Sequence, residues 1–264
     1  MFLHLPLRPL CGLLLLLGCE QQKAPPLASL SPAPLEPLSA AGVDGGTDVH
    51  RLAPAPPWGA PPPTAGVRVV LRDEEIRVGP ARFLPGADGG MRPVLEAAGR
   101  GPVLLVAEGD TYLAQVAPLL AALDDAHVPV WLVHEAGVAF PLHLRDERAF
   151  DAWLDEPKPG KIRVVQRQDG LELVSGVGKL PGPDPNGPTV PVRGGRLDIA
   201  TARQGLSRLQ QRFHAEDACL VPSFGTELRA VATALTAFWV GPKEPLFTEL
   251  CLVALDPKLQ SRRR

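Results

Sequence analysis

The sequence predicts an α+β fold made of two tandem β-β-α-β-α-β modules, each with a mixed sheet and helices on one face. Three observations predict it. Five blocks of sequence recur in the same order, apolar runs switch between strand and helix periodicity, and a proline-rich stretch separates the repeats from the N-terminus.

The recurrence is direct. Val67-Arg68-Val69-Val70-Leu71-Arg72 returns as Ile162-Arg163-Val164-Val165-Gln166-Arg167, an offset of 95 (67 to 162). Phe83-Leu84-Pro85-Gly86 returns as Lys179-Leu180-Pro181-Gly182, an offset of 96 (83 to 179). At an offset of 115 (103 to 218), Val103–Val106 matches Ala218–Val221, and Thr111, Leu113, Val116, Ala117 and Leu120 match Thr226, Leu228, Val231, Ala232 and Leu235. Val130–Val133 matches Leu250–Val253 at an offset of 120 (130 to 250). Offsets that only grow are what insertions into a duplicated unit produce.

Each copy reads the same way along the chain. Val67, Val69 and Leu71 alternate with Arg68 and Arg72, and Ile76 and Val78 follow, giving two strands around a charged turn. In the second copy that turn holds Asp169-Gly170, a strong hairpin signal. A Leu-Pro-Gly loop leads to a first helix, at 91–99 in one copy and 197–213 in the other. Buried strands follow at 103–107 and 218–222. The second helix carries Leu113, Val116, Ala117, Leu120 and Leu123 on one face; its counterpart carries Leu228, Val231, Ala232, Leu235, Phe238 and Trp239. Strands at 129–134 and 249–255 close the copies, and strand–helix–strand order implies parallel neighbours joined by a right-handed crossover. The modules therefore run over 67–134 and 162–256. In the connector 135–161, Arg145 to Leu154 reads as a short helix docking Phe150 and Trp153, with Pro157 and Pro159 at its end. Residues 257–264 are a basic tail ending in Arg262-Arg263-Arg264, read as frayed.

Upstream, the run Leu13–Leu17 followed by Gly18 and Cys19 has the form of a bacterial lipobox. Residues 1–18 are then a signal peptide, and the Cys19 thiol carries palmitate-type acyl chains that hold the protein on a membrane. Leu10 to Gly18 is too short to cross roughly 30 Å of hydrocarbon. Residues 19–66 hold eleven prolines among Ala, Ser and Gly, a composition that buries no core and acts as an extended tether. Trp58 within it reads as a stray exposed side chain. The expected location is the bacterial cell envelope, lipid-anchored and facing the periplasm. Glu20 gives no clear inner-membrane signal, which tilts the expectation to the outer membrane.

A formal charge of −2 and a pI near 6.3 offer no basic face for nucleic acid. Cys11 leaves with the signal. Cys219 and Cys251 remain, in apolar strand-like runs and a disulfide-permissive compartment. Two readings stand: buried free thiols, or a bridge between neighbouring strands.

From Val103-Leu-Leu-Val-Ala-Glu-Gly-Asp-Thr-Tyr-Leu-Ala-Gln-Val116 through Leu123-Asp124 to Val130-Trp-Leu-Val133, the chain resembles the extracytoplasmic domain of the ExbD/TolR family of biopolymer-transport proteins. Glu108 stands where that family usually has Asp, and Tyr112 where its aromatic falls. His127-Val128 replaces the usual Gly-Val, and the second copy keeps the apolar skeleton with Ser223 at the Glu108 position. The family's transmembrane helix and its proton-carrying aspartate have no counterpart here. What the resemblance implies is binding to envelope proteins or peptidoglycan, with a site at Glu108, Asp110 and Tyr112, and a dimer that two copies in one chain would form internally as a pseudo-dimer.

The search for catalysis points elsewhere than to an enzyme. His50, His127, His134, His143 and His214 lack metal-ligand spacing, although His134, His143 and Glu135 form a candidate loop cluster. Gly176-Val177-Gly178-Lys179 lacks the spacing and hydroxyl of a phosphate loop. Ser223 sits where a nucleophile elbow would, but Val221-Pro222-Ser223-Phe224-Gly225 lacks the first glycine. The expectation is a non-catalytic protein without cofactor or metal. The rivals are a serine hydrolase using Ser223 and a periplasmic small-molecule-binding lipoprotein.

Overall fold

Apolar alternation in short runs and helical spacing in longer ones yield a mixed α/β structure with, among the described residues, one large mixed sheet and five α-helices. The computed structural model describes residues 57–73, 75–84, 91–99, 101–156, 160–223 and 225–253. The signal peptide, Cys19, the tether up to residue 56, His50, Pro157, Pro159 and the basic tail lie outside the described residues.

The first part of the chain forms β1 (Val67–Arg72), β2 (Glu75–Val78), β3 (Ala81–Phe83), α1 (Arg92–Ala98), β4 (Val103–Glu108), α2 (Leu113–Asp125), β5 (Val130–Val133), β6 (Ala139–Arg145) and α3 (Glu147–Asp155). The second forms β7 (Ile162–Arg167), β8 (Gly170–Ser175), β9 (Gly178–Lys179), β10 (Val190–Arg193), β11 (Arg196–Leu197), α4 (Ile199–Phe213), β12 (Asp217–Pro222) and α5 (Leu228–Leu235). A single 3-10 turn (Thr236–Phe238), β13 (Trp239–Gly241), β14 (Glu244–Pro245) and β15 (Glu249–Val253) follow.

Thirteen strands make one sheet in the order β11-β10-β8-β7-β12-β15-β6-β5-β4-β1-β2-β3, with β9 on β8. Three pairs in each half obey the sequence offsets in their registers, whereas the third strands do not: Ile76 faces Phe83, but Lys179 faces Val174 rather than Leu171. Val67 faces Val103 and Ile162 faces Ala218 across parallel pairs; Val103 faces Val130 and Ala218 faces Leu250. In the antiparallel pairs, Leu71 faces Ile76 and Gln166 faces Leu171. At the second hairpin Gly170 has φ of 150°, and a Cβ there would collide with the Val190 carbonyl of β10. Glycine is required for that approach.

The strand β6 was not foreseen; it lies in what the sequence presents as a connector. Its first four residues pair antiparallel with β5 and its last three pair parallel with β15, so one strand fuses the two halves. The apolar pattern Phe140, Leu142, Leu144 is interrupted by Pro141, which hid it. Another difference lies at the end of α5. Phe238 and Trp239 are not on the helix: it stops at Leu235, Phe238 ends the 3-10 turn and Trp239 begins β13.

Side chains alternate across the sheet. Val103, Leu105, Val130, Leu132, Ala218, Leu220 and Leu252 face α1, α2, α4 and α5 in one continuous buried core. Helix α3 covers the opposite face, so helices do not all lie on one side. Asp146 caps it by accepting from the Ala149 N–H at 2.6 Å, and Phe150 and Trp153 bury against Cys219, Cys251 and Val253. Cys219 and Cys251 stand opposite each other on β12 and β15, with Cα atoms 4.4 Å apart, and are joined as a disulfide.

Trp58 is not a stray exposed side chain. The Arg203 guanidinium of α4 lies 4.0 Å from its ring centroid, and Ala60 exchanges backbone hydrogen bonds of 3.0 and 2.7 Å with Ala139. A Cβ on Gly59 would come within 2.9 Å of the Phe140 ring. Residues 57–60 therefore belong to the folded body rather than to the tether, and only tertiary pairing with β6 reveals it.

Two outcomes are expected. Cys219→Ser with Cys251→Ser opens a loop of 32 residues and lowers the unfolding free energy by about 3–4 kcal/mol on the chain-entropy account, read from urea midpoints. Trp58→Ala lowers it by about 1–3 kcal/mol; an unchanged midpoint would show the indole to be idle.

Candidate functional site

The start of α2 is where the sequence places a site, and the structure brings it against the start of α5. A helix leaves its first N–H groups without partners inside the helix. Here the Leu113 N–H donates to the Thr226 carbonyl at 2.9 Å, and the Leu228 N–H donates to the Thr111 carbonyl at 2.8 Å. Tyr112 and Glu227 thereby form an isolated antiparallel bridge. These are equivalent positions at the offset of 115 (111 to 226), so each helix start completes the other in the same way.

The turn before each helix also repeats. The Thr111 hydroxyl is buried and lies 3.1 Å from the carbonyls of Leu71 and Glu108. The Thr226 hydroxyl lies 2.8 Å from that of Ser223, and the Thr226 N–H donates to the Ser223 carbonyl at 3.0 Å. Glu108 and Asp110 are exposed, and Tyr112 is 38% exposed. Asp110 reaches across to Arg229 of α5 at 3.2 Å. The Tyr112 N–H donates to the Gln115 side chain at 2.8 Å, which holds the first turn of α2. The result is a solvent-facing ridge of Asp110, Tyr112, Glu227 and Arg229 over a buried threonine pair. Sequence reasoning found Asp110 and Tyr112 but missed Glu227 and Arg229. The offset marked the two helix starts as equivalent; nothing in it says that they touch.

The other candidates resolve differently. Ser223 is engaged by Thr226, and its N–H donates to the Gln166 carbonyl at 2.9 Å. His214 ends α4 in a left-handed conformation, just before β12, whereas Ser223 follows that strand's far end. Six strand residues put them roughly 20 Å apart, beyond proton-transfer reach. Lys179 donates to the Gly187 carbonyl at 2.6 Å, inside a turn. His134, Glu135 and His143 do not gather: the Nδ1 of His134 accepts from the Ala136 N–H at 3.1 Å, and His143 sits 3.0 Å from Glu249. Among the described residues no group of three or more metal-ligating side chains forms, and no helix is long and apolar enough to cross a membrane.

Where the halves meet, a cleft of about 310 Å³ is lined by Pro141, Phe238, Trp239, Pro245 and Phe247, with His143 and Glu249 among its polar residues. Glu249 also binds Arg145. Burial raises the pKa of nearby Asp124 above the ordinary aspartate value, an effect that His143 opposes.

No protein-family model matches the chain, and no curated protein matches it.

His134 carries a pH prediction. Burial lowers its pKa below the ordinary value of 6.5, against the pull of Glu135. The unfolded chain then binds this proton more readily than the folded one. The stability is complete above pH 6.5 and declines as pH falls below it. His134→Asn, which keeps an acceptor for Ala136, should flatten the fall in urea midpoint between about pH 7 and 5 relative to the parent. An identical slope in the two proteins would refute the assignment.

Proposed function

We propose that the chain is a lipid-anchored, non-catalytic envelope protein whose two tandem β-β-α-β-α-β modules form an intramolecular pseudo-dimer. It acts by binding protein partners or peptidoglycan, as an accessory to ExbD/TolR-type biopolymer transport or related envelope machinery. The observation that carries the duplication is the agreement between sequence offsets and strand registers in the pairs β1–β2, β1–β4 and β4–β5 and their counterparts β7–β8, β7–β12 and β12–β15, together with the reciprocal bonds between the starts of α2 and α5. Equivalent surfaces meeting in equivalent contacts are what an isologous dimer interface provides.

The envelope role rests on other residues: the Leu16-Leu17-Gly18-Cys19 lipobox and the proline-rich tether behind it. The family resemblance adds the class of partner and directs attention to Glu108, Asp110 and Tyr112. In this reading the ridge over the threonine pair is the contact surface, presented away from the bilayer by the tether. The cleft lined by Trp239 supports a second reading, a small-molecule-binding lipoprotein, because its size and apolar lining suit a small ligand.

Mass spectrometry of protein isolated from its native membrane tests the anchor. The expected product begins at Cys19 with acyl chains, and Cys19→Ser releases the protein from the membrane fraction; an intact, unacylated leader overturns the reading. Light scattering of the unlipidated chain should give the mass of one chain, and twice that mass counts against the internal pseudo-dimer.

A further inference from the structure

The two halves treat one sheet face differently. On β12 and β15, Cys219, Cys251 and Val253 are each about 1% exposed, because α3 lays Phe150 and Trp153 over them. The two rings stack at 5.6 Å, and Trp153 is flanked by Lys161 at 5.0 Å and Arg145 at 5.9 Å. The equivalent positions of the first half, at the offsets of 115 and 120, are Leu104, Trp131 and Val133 (104 to 219, 131 to 251, 133 to 253). Leu104 faces Trp131 across β4 and β5 in the register that Cys219 and Cys251 share across β12 and β15.

No described helix covers this half of the face. Leu104, Val106, Trp131, Val133 and Val70 are partly buried, Leu104 beside Gly66, and none of them packs into either buried cluster. Val70, Val106 and Val133 stand in one row across three strands. The patch is therefore contiguous. Its charged flank keeps a small positive excess: Arg68, Arg72, Arg77 and Arg82 share this side of β1, β2 and β3 with Glu75, which lies 2.6 Å from Arg77 and 3.6 Å from Arg82, while Glu108 and Asp73 lie beside Arg72.

We infer that this face is a docking site for an acidic amphipathic helix of a partner protein, one that presents two aromatic side chains three residues apart. The chain's own second half supplies the template. Helix α3 meets the equivalent surface with Phe150 and Trp153 and turns Asp151 and Asp155 to solvent. Four arginines against three carboxylates (Asp73, Glu75 and Glu108) leave a positive excess that favours an acidic helix over a basic one. Aromatics in shallow apolar seats with a polar rim are the pattern of helix-in-groove recognition. The inference uses the equivalence of the halves and not the envelope role, so an unlipidated chain serves to test it.

The probe is a fluorescein-labelled peptide of residues 145–156 carrying Arg148→Lys and Ala152→Glu, closed by a lactam between those two side chains, since so short a helix is marginal alone. Saturable binding to the full chain is expected. Leu104→Lys should weaken it by about tenfold or more, and so should Phe150→Ala with Trp153→Ala in the peptide. Trp131→Gln, a milder change, guards against misfolding of the first variant. Absence of saturable binding up to about 1 mM peptide overturns the proposal. So does binding that survives both Leu104→Lys and Trp131→Gln, which would place the peptide elsewhere. Two further results assign the face to another occupant and equally overturn it: a mass that halves in Leu104→Lys, indicating a second copy, or peptide binding that strengthens about tenfold when residues 20–56 are deleted, indicating the tether.

Discussion

Strand β6 is the constraint on which the architecture depends. Without it, β5 and β15 would each end a sheet with unpaired N–H and C=O groups, a surface prone to adventitious pairing. β6 uses Ala139–Leu142 to satisfy one edge and His143–Arg145 to satisfy the other. A seven-residue strand thereby converts two sheets into one and removes two edges at once. It also seats residues 57–60, through Ala60 on Ala139, and supplies one wall of the cleft lined by Trp239.

The second contact between the halves is smaller and more symmetric. Unpartnered N–H groups at a helix start need acceptors, and each half supplies a threonine carbonyl to the other. This arrangement explains why the most functional-looking residues of the sequence cluster at a junction. Asp110 and Tyr112 lie at the start of α2, where Arg229 and Glu227 arrive from α5. The exposed pair Asp110–Arg229 adds little stability by itself, since solvent screens it. Its position over the buried threonines gives the ridge a defined shape.

Symmetry is broken where the chain needs its connector. Helix α3 follows β6 directly and has reach to only one half of the face, where it covers the disulfide. The other half leaves Leu104 and Trp131 only partly buried. The asymmetry arises from connectivity: Leu104 pairs with Trp131 beneath one half of the face as Cys219 pairs with Cys251 beneath the other.

Much of this was legible in the residues. Alternation at Val67, Val69 and Leu71 and helical spacing from Leu113 to Leu123 report burial on one side of a local element, and the recurring blocks announced which strands would be equivalent. Asp169-Gly170 named its own hairpin. Long-range pairing left no such mark. Nothing near Ala139 says that two edges will meet there, nothing near Trp58 identifies Arg203 as its partner, and Cys219 and Cys251 read as buried free thiols sooner than as a bridge until β12 and β15 become neighbours. Periodicity belongs to a few consecutive residues and is dictated by side-chain geometry, so the sequence by itself determined most of the elements and the order in which its apolar blocks recur. Which edges join, which face α3 covers and which helix starts exchange hydrogen bonds depend on groups a hundred residues apart competing for the same partners, and only the tertiary structure decided them.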